Sequence, residues 1–530
     1  MADAKKEKLD TTTPRVDGLY STLEWMVSAF CYTLVFIVFE MQAYTIPTGS
    51  MADTLKGAHF RLRCEQCAYS YDYDFLPDPY NLQRNQTPGD NVEVRPGSPR
   101  CPSCGYYRQT GQRMPVVKGD RIFVLKTIYQ FIEPKRWDVV VFKNPTNPGE
   151  NYIKRMIAGP GETLEIIDGD IYINGQIARK PPKVQEELWM PVYDNDYQPA
   201  QPKDPYFNRH AWSQPFRNAG SSAWNLAAEG PTVFALAGEG PQVHRIEYDT
   251  TVGNDFRATY AYDDPRAYPY MPICSDLRIQ FDASLEPFSG VRAELSKYGV
   301  RYRASIESDG TIRIDQIGPD GAVQVFLDDF IPSWKAVGPV SISFANADHQ
   351  LRLTVGDHEW IHEFGTEPES MGKPKAEMPI VAVEGNGTIR LSHIRLSRDI
   401  HYVYAPRAAR ASEGKPFTLG ADEFFVCGDN SPNSADARVW SSPGMGNGKE
   451  YRTGTVPRDF LVGKAFFVYW PGPYRPWNGT GLADSMDRTP LGRIAKILMN
   501  VPWVDGIKII YGGHEPLTPY TPLEPVAHDR

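Results

Sequence analysis

Two polar residues that lie far apart in the chain could together hydrolyse a peptide bond. Ser50 follows Thr48 and Gly49, and Lys154 lies between the apolar Ile153 and the pair Arg155–Met156. A serine hydroxyl becomes a good nucleophile when a base removes its proton. A lysine amine can be that base only in its neutral form, which burial favours. The apolar neighbours of Lys154 predict burial, so the two residues indicate Ser/Lys hydrolytic chemistry.

A third polar run, at 428–438, accompanies the runs at 44–55 and 152–162. In their order along the chain and in their amino-acid sequences, these three runs resemble the conserved boxes of bacterial type I signal peptidases, the Ser/Lys endopeptidases of the S26 type. The resemblance implies a membrane-bound enzyme that removes N-terminal signal peptides from exported preproteins after small-x-small sites. The chain has Asp53 where the family often has proline and Ser431 where it often has arginine. Neither position does chemistry, so these departures bear on loop rigidity and leave the dyad complete.

The resemblance also implies a role for each polar residue of the site. Ser50 is the nucleophile and Lys154 is the base. The Thr48 hydroxyl joins the Ser50 amide in binding the oxyanion, and Ser434 orients the lysine amine, although Ser434 could also be an ordinary turn serine. His59 is near Ser50 in sequence but lacks a Ser-His-Asp motif. The complete supporting set is Thr48, Ser434, Asp436, Arg438 and Arg155.

Bulky apolar residues flank the serine and the lysine, and they match family positions that line shallow substrate pockets. Such walls leave room only for small side chains, as in Ala-x-Ala cleavage sites. An extended substrate could pair with the strand before the serine and with the strand that ends at the lysine. Without the resemblance, each of these residues would be interpreted as plain core. They are Tyr44, Ile46, Pro47, Met51, Leu55, Tyr152 and Ile153.

Four cysteines form two Cys-x-x-Cys pairs between the first two runs: Cys64 with Cys67, and Cys101 with Cys104. Two such pairs are typical of a zinc ribbon, in which four thiolates hold one tetrahedral ion. Because a closed four-thiolate site has no open position, the zinc would be structural, and catalysis would need no cofactor. The alternative is a pair of disulfides in an oxidising compartment.

An apolar stretch at 25–39, bounded by Glu24 and Glu40, precedes the serine run. Extended to 19–46 it reaches the length of a membrane span. Basic residues before it predict a cytoplasmic N-terminus, and hence a single-pass protein of the inner membrane with a periplasmic catalytic domain. A cleaved signal peptide is the alternative.

Composition limits the remaining choices. The chain has 530 residues, a net charge of -9, 46 prolines and 44 glycines. The negative charge argues against nucleic acid as a partner, and the turn residues favour short strands. The expected partners are signal peptides of preproteins, membrane lipid and the secretion machinery.

The large segment 186–415 contains stretches in which polar and apolar residues alternate, as at 277–281, 340–344 and 351–355. Period-2 strands separated by turn residues predict an antiparallel β-sandwich, which loosely resembles jelly-roll or laminin-G modules. We expect an accessory spacer or docking module rather than a sugar-binding one, because a fold of this kind carries no function by itself. An alternative for the whole chain is a surface-exposed sandwich that binds a ligand beside a vestigial peptidase core.

The predicted fold class is therefore mainly β. It comprises a signal-peptidase-type core, one N-terminal transmembrane helix, a zinc-ribbon-like insert and an inserted sandwich. The predicted divisions are 1–43 for tail and anchor, 44–57 with 115–185 for the first part of the core, 58–114 for the cysteine insert, 186–415 for the inserted domain, 416–475 for the second part of the core and 476–530 for a C-terminal tail.

Overall fold

The computed structural model describes residues 15–35, 40–83, 86–88, 92–109, 111–208, 210–238, 240–332, 334, 338–366, 368, 377–403, 410–472, 489 and 506–513. The protein is mainly β, with 44% strand and 10% helix. This confirms the coarse fold class that the turn residues and alternating strands predict. Most of the predicted C-terminal tail, and the basic residues at 5–8, lie outside the described residues.

Helices are few and mostly short: α1 (Arg15–Val35), α2 (Ile128–Phe131) and α3 (Pro182–Leu188), with 3-10 turns at Asp78–Tyr80, Pro265–Tyr270, Ser431–Asn433 and Arg458–Phe460. Part of the apolar stretch expected to form an anchor, 36–39, lies outside the described residues. Among the residues that are described, no helix has both the length and the apolar character needed to cross a membrane, so the predicted transmembrane helix is not confirmed.

The strands follow in chain order. Those before the large insertion and at its start are β1 (Met41–Thr45), β2 (His59–Arg63), β3 (Ser70–Asp74), β4 (Glu93–Val94), β5 (Met114–Pro115), β6 (Arg121–Leu125), β7 (Val139–Asn144), β8 (Asn147–Ala158), β9 (Thr163–Ile167), β10 (Asp170–Ile173), β11 (Gln176–Ile177) and β12 (Met190–Asp194). Those within the insertion are β13 (Phe216–Asn218), β14 (Phe234–Ala237), β15 (His244–Tyr248), β16 (Leu277–Leu285), β17 (Gly290–Lys297), β18 (Val300–Glu307), β19 (Thr311–Ile317), β20 (Val323–Phe330), β21 (Val340–Ala347), β22 (Gln350–Val355), β23 (His358–Glu363), β24 (Val381–Asn386) and β25 (Thr388–Arg398). Those after it are β26 (Phe417–Thr418), β27 (Glu423–Cys427), β28 (Gly444–Gly446), β29 (Lys449–Tyr451), β30 (Val456–Pro457), β31 (Leu461–Trp470) and β32 (Lys508–Ile509).

The sheet that carries Lys154 has the strand order β1-β6-β31-β7-β8-β27-β30, with β32 paired to β31, and Ser50 follows its edge strand β1. Residues 139–142 of its central strand β7 are a continuous apolar run because both faces of the strand are buried there. Val140 and Phe142 enter one hydrophobic cluster, while Val139 and Val141 enter another. A second sheet, β11-β10-β9-β26, adds Leu164 to the first of these clusters.

The large insertion contains two antiparallel sheets. One has the order β12-β25-β16-β21-β22-β23, with β14 paired to β25, and the other runs β13-β15-β24-β17-β18-β19-β20. Alternate residues of both sheets enter one hydrophobic cluster, as in β16, where every second residue from Leu277 is buried. Because successive side chains of a strand point to opposite faces, this is the outcome that the period-2 pattern predicts.

The cysteine-containing insert is built from the hairpins β2–β3 and β4–β5. All four predicted metal-binding cysteines are buried in its small hydrophobic cluster, which also holds Phe207 from the large insertion. The two insertions therefore contact each other as well as the dyad-bearing sheet.

Candidate active site

The predicted nucleophile and base are in hydrogen-bond contact. Lys154 lies on β8, paired with Val140 of β7, and only 4% of its surface is exposed. Its Nζ donates to Ser50 Oγ at 2.7 Å and to the carbonyl oxygen of Ile153 at 2.9 Å. Ser50 lies in the turn that follows β1 and is half-buried. Desolvation of the amine disfavours its charged form, so the geometry suits proton transfer from the hydroxyl to the amine.

The third polar run meets Ser50 at Gly428. A Cβ at Gly428 would come closer to both Ser434 Oγ and the carbonyl oxygen of Ser50 than real Cβ atoms approach. The amide of Asn430 donates to that same carbonyl at 3.2 Å. Glycine is therefore required here by close approach, and the predicted lysine-orienting residue Ser434 lies beside the nucleophile.

Asp436 and Arg438, two residues of the supporting set, form a buried ion pair. Arg438 Nη2 lies 2.6 Å from Asp436 Oδ2, and the other oxygen of Asp436 accepts from Arg438 Nε at 2.9 Å. Burial alone would raise the pKa of Asp436, but Arg438 holds that pKa below its usual value. Asp436 Oδ2 also accepts from the amide of Gly428 at 2.9 Å. The ion pair thus holds the turn that contacts Ser50.

Arg155 has a partner that the sequence did not single out. Its Nε and Nη2 donate to the two carboxylate oxygens of Asp429 at 2.7 and 2.6 Å, and both side chains are fully buried. Lys154 and Arg155 are neighbours on a strand, so one points to the serine side and the other to the opposite face. This fork-shaped pair ties β8 to the loop of the third run. The sequence feature that could have identified Asp429 is its position next to Gly428 in the third polar run.

The cleft around the dyad has a volume of about 550 Å³. Of the predicted pocket residues, Pro47, Tyr152 and Ile153 line it, and so does the predicted oxyanion residue Thr48. The remaining four pack into the hydrophobic cluster beneath the serine turn, which is the plain-core alternative. They are Tyr44, Ile46, Met51 and Leu55.

The cysteine insert supplies one wall of the same cleft, through residues 74–78. Burial first, and then the nearby carboxylate of Asp263, raise the pKa of Asp74 to about 7. Asn433 Nδ2 donates to Asp74 Oδ2 at 3.4 Å. Nothing in the sequence indicates that residues 74–78 lie near Ser50 and Lys154, because the chain folding alone brings these segments together.

The large insertion also contacts the serine turn. Tyr262 is buried against Gly49, where a Cβ would collide with its ring, and its hydroxyl donates to the carbonyl oxygen of Gly57 at 3.1 Å. Tyr260 and Met190 pack with Ala52 in a small cluster. The early part of the large insertion therefore packs against the turn that carries Ser50 and supports it.

His59, the sequence neighbour that could suggest a triad, is engaged elsewhere. Its Nδ1 is 2.8 Å from the carbonyl oxygen of Gly57, and its Nε2 is 3.6 Å from Asp72 Oδ1. With both ring nitrogens near other groups, His59 is not the hydrogen-bond partner that the structure gives to Ser50 Oγ.

The four cysteines of the insert converge. Their sulfur atoms all lie within 4.8 Å of one another, with Cys64–Cys104 and Cys67–Cys101 at 3.7 Å. Tetrahedral zinc with Zn–S bonds of about 2.3 Å requires sulfurs about 3.8 Å apart, whereas a disulfide requires about 2.05 Å.

The two cysteine turns are built alike. The amide of Cys64 donates to Tyr69 O at 2.8 Å, and the amide of Cys101 donates to Tyr106 O at 2.8 Å. Each turn ends on a residue of positive φ, Ala68 at 64° and Gly105 at 75°. All seven cysteines are free thiols. The donor set and its spacing therefore fit a zinc ion.

Comparisons with known proteins support the resemblance noted in the sequence. A family model described as "Signal peptidase, peptidase S26" matches residues 104–210 and 393–470. These matched residues include Lys154, Ser434 and the Asp436–Arg438 pair, while Ser50 lies outside them.

Two curated relatives agree with this match. Signal peptidase I of Rickettsia canadensis is 30% identical over 153 residues, which are 28% of this chain and 42% of that protein. Signal peptidase I T of Bacillus subtilis is 37% identical over 95 residues, or 17% of this chain and 48% of that protein. The chain thus spans less than half the length of each. Over these segments the chain is similar in sequence to S26-type signal peptidases.

Among solved structures, a carbohydrate-binding module from Bacillus subtilis has 9% identity and a TM-score of 0.23, covering 34% of this chain and 95% of the module. Sheep galectin-11 has 14% identity and a TM-score of 0.18, covering 24% of this chain and 92% of that protein. Likenesses this low carry no argument about fold or ligand.

Proposed function

We propose that the protein is a signal peptidase, a serine endopeptidase that removes signal peptides from preproteins after small-x-small sites. The observation that carries this proposal is the 2.7 Å hydrogen bond between Lys154 Nζ and Ser50 Oγ. A vestigial core would have no reason to keep a buried lysine directed at a serine hydroxyl. The fit of the chain to the S26 type supplies the substrate class.

In the proposed mechanism, Lys154 Nζ accepts the Ser50 proton as Ser50 Oγ attacks the scissile carbonyl carbon. The oxyanion is stabilised by the Ser50 amide and the Thr48 hydroxyl, each donor being worth about 2.7–4 kcal/mol. Lys154 then gives its proton to the leaving amine, and the acyl chain stays on Ser50. A water molecule, deprotonated by Lys154, hydrolyses this ester and restores the serine.

The proposal predicts selective cleavage. The full chain should cleave a preprotein that has alanine at the last position before the scissile bond. Phenylalanine at that position should lower kcat/KM about 100-fold or more, since a pocket closed by Tyr152 and Ile153 excludes an aromatic ring. Mass spectrometry of the products gives the cleavage site. Equal cleavage of both preproteins, or cleavage at unrelated sites, would contradict the proposed specificity.

The cysteine insert is proposed to hold one structural zinc ion on Cys64, Cys67, Cys101 and Cys104. Support comes from the sulfur spacing and from the matched geometry of the two turns. The ion would hold the two hairpins together, with no part in the chemistry at Ser50.

Removing zinc is therefore expected to loosen the insert. Native mass spectrometry should find about one zinc per chain, and chelation should raise hydrogen exchange in β2–β3, because a structural site contributes its binding free energy to folding. Cys67→Ser should reproduce the effect, while Cys274→Ser, at a buried cysteine of the large insertion, should leave the zinc content unchanged. Two disulfides among the four cysteines would defeat the assignment.

Membrane association is also part of the proposal. On α1, Trp25, Met26, Val27 and Phe30 are exposed, and apolar side chains gain free energy on leaving water. We propose the placement expected from the sequence, at the inner membrane with the catalytic core outside the cytoplasm, near the secretion machinery. Cleavage of a preprotein held in phospholipid vesicles tests this, because Ser50 must then reach the membrane surface.

We further propose that the two sheets of the large insertion form an accessory β-sandwich. Their shared hydrophobic cluster supports this, as does the antiparallel order of both sheets. The packing of Tyr262 against the serine turn gives the insertion a positioning role for the core.

A further inference from the structure

A second and larger cavity adjoins the cleft that holds the dyad. It has a volume of about 1000 Å³ and shares Asp74 and Leu76 with the cleft as lining residues. Both insertions contribute to it, so it has no equivalent within the two core segments. We call it the tyrosine groove, after the aromatic residues in its lining: Phe60, Tyr73, Tyr80, Tyr107, Tyr206 and Tyr270.

The tyrosine groove presents apolar surface to solvent. Tyr270 is 84% exposed, Leu76 50% and Tyr206 48%. Prolines from both insertions also line the groove. Tyrosine provides large, rigid contact area at a low cost in conformational entropy, which makes such a surface suited to binding another chain. Exposed contiguous apolar surface of this kind marks an interaction site.

The charges of the groove nearly cancel. Arg266 Nε donates to both carboxylate oxygens of Asp264, at 3.0 and 2.9 Å, so this pair is internally neutral. Arg95 and Asp74 are the other charged residues in the lining. The raised pKa of Asp74, about 7, leaves Arg95 only partly balanced at neutral pH, so the lining carries less than one net positive charge. A charge this small does not select a polyanion or a basic peptide, and the apolar lining favours an uncharged ligand.

We propose that the tyrosine groove binds the substrate polypeptide where the chain continues beyond the residues seated at Ser50, so that the two insertions extend substrate recognition. This inference rests on the proposed function. A peptide bound in extended form at the cleft must leave it at one end, and Asp74 and Leu76 line both the cleft and the groove. The adjacency of the groove to the cleft favours the substrate over an unrelated ligand, and the apolar lining favours an uncharged flanking segment.

The test compares peptides of different lengths. One peptide carries only the small-x-small site with its nearest neighbours, and two longer ones add an uncharged apolar segment on either flank. We expect one of the extensions to raise kcat/KM about tenfold or more. Tyr270→Ala should remove most of that gain, mainly through KM, while leaving the short peptide unaffected. Phe288→Ala removes a ring that is 94% exposed and lies outside the groove, so it serves as the matched control.

Binding measurements separate this inference from the proposed function. The Ser50→Ala protein should bind the favoured long peptide about tenfold more tightly than the Ser50→Ala/Tyr270→Ala protein, as measured by fluorescence anisotropy. If wild type cleaves none of the three peptides while this difference in affinity holds, the proposed function fails and the groove remains a binding site. If all peptides are cleaved alike, or if Tyr270→Ala leaves the gain intact, the groove is not a substrate site.

Discussion

Ser50→Ala and Lys154→Arg are each expected to lower kcat by about four orders of magnitude or more. The first removes the attacking oxygen. The second replaces an amine that can lose its proton with a guanidinium that cannot. Because nucleophile and base act as one unit, the double variant should be no worse than either single variant. Single-turnover cleavage of one preprotein allows the rates of the two single variants and the double variant to be compared directly.

Matched control substitutions show whether the loss of kcat is specific to Ser50 and Lys154. Lys143→Arg changes an exposed lysine of β7, and Ser70→Ala changes an exposed serine at the start of β3, so both should keep full activity. Normal melting of Lys154→Arg would show that its fold survives. Appreciable cleavage by a folded Lys154→Arg protein would remove Lys154 from the role of base.

The mainly β class was within reach of the sequence. Residues 139–142 of β7 are recognisable because a segment buried on both faces must be apolar, and β16 because a strand buried on one face must alternate. Lys154 was singled out by the resemblance of its run to a signal-peptidase box and by the apolar residues Ile153 and Met156 near it. In each case the information is local, carried by residues adjacent in the chain.

The contacts between distant segments were beyond such reasoning. Ile46, Met51 and Leu55, which were predicted to line the substrate pockets, pack in the hydrophobic core. Residues 74–78 of the cysteine insert, for which no pocket role was predicted, line the cleft. Apolar composition alone does not separate a pocket wall from a core position. Whether a side chain faces substrate depends on which other segment covers it, and that segment here comes from an insertion.

Asp429 was missed for the same reason, because its partner Arg155 lies in a distant segment of the chain. Removing the carboxylate of Asp429 should lower the stability of the site considerably. Asp429→Asn leaves Arg155 as a buried cation with half of its fork unsatisfied. Breaking a buried ion pair by removing one partner costs about 3–5 kcal/mol. We expect the lower end of that range, because Glu187 lies 3.9 Å from Arg155 Nη2 and offers a second carboxylate.

The measurement should be local, since a chain with several hydrophobic clusters need not unfold in one step. Hydrogen exchange in β8 reports the free energy of opening the strand that carries Lys154. The control is Glu133→Gln, which breaks the exposed Arg458–Glu133 pair and should change stability by about 1 kcal/mol or less.

Replacing both partners, as in Arg155→Met with Asp429→Leu, should recover much of the loss, because two apolar side chains leave no buried charge. That double variant should keep β8 closed yet lower activity, since the third run is then no longer tied to β8 by an ion pair and the Asp436–Arg438 pair must hold the turn at Ser50 without it. If hydrogen exchange in β8 of the Asp429→Asn protein is as slow as in wild type, the Arg155–Asp429 pair does not hold the strand and the loop together. The alignment of Lys154 with Ser50 must then come from the packing of β7 and β27 alone.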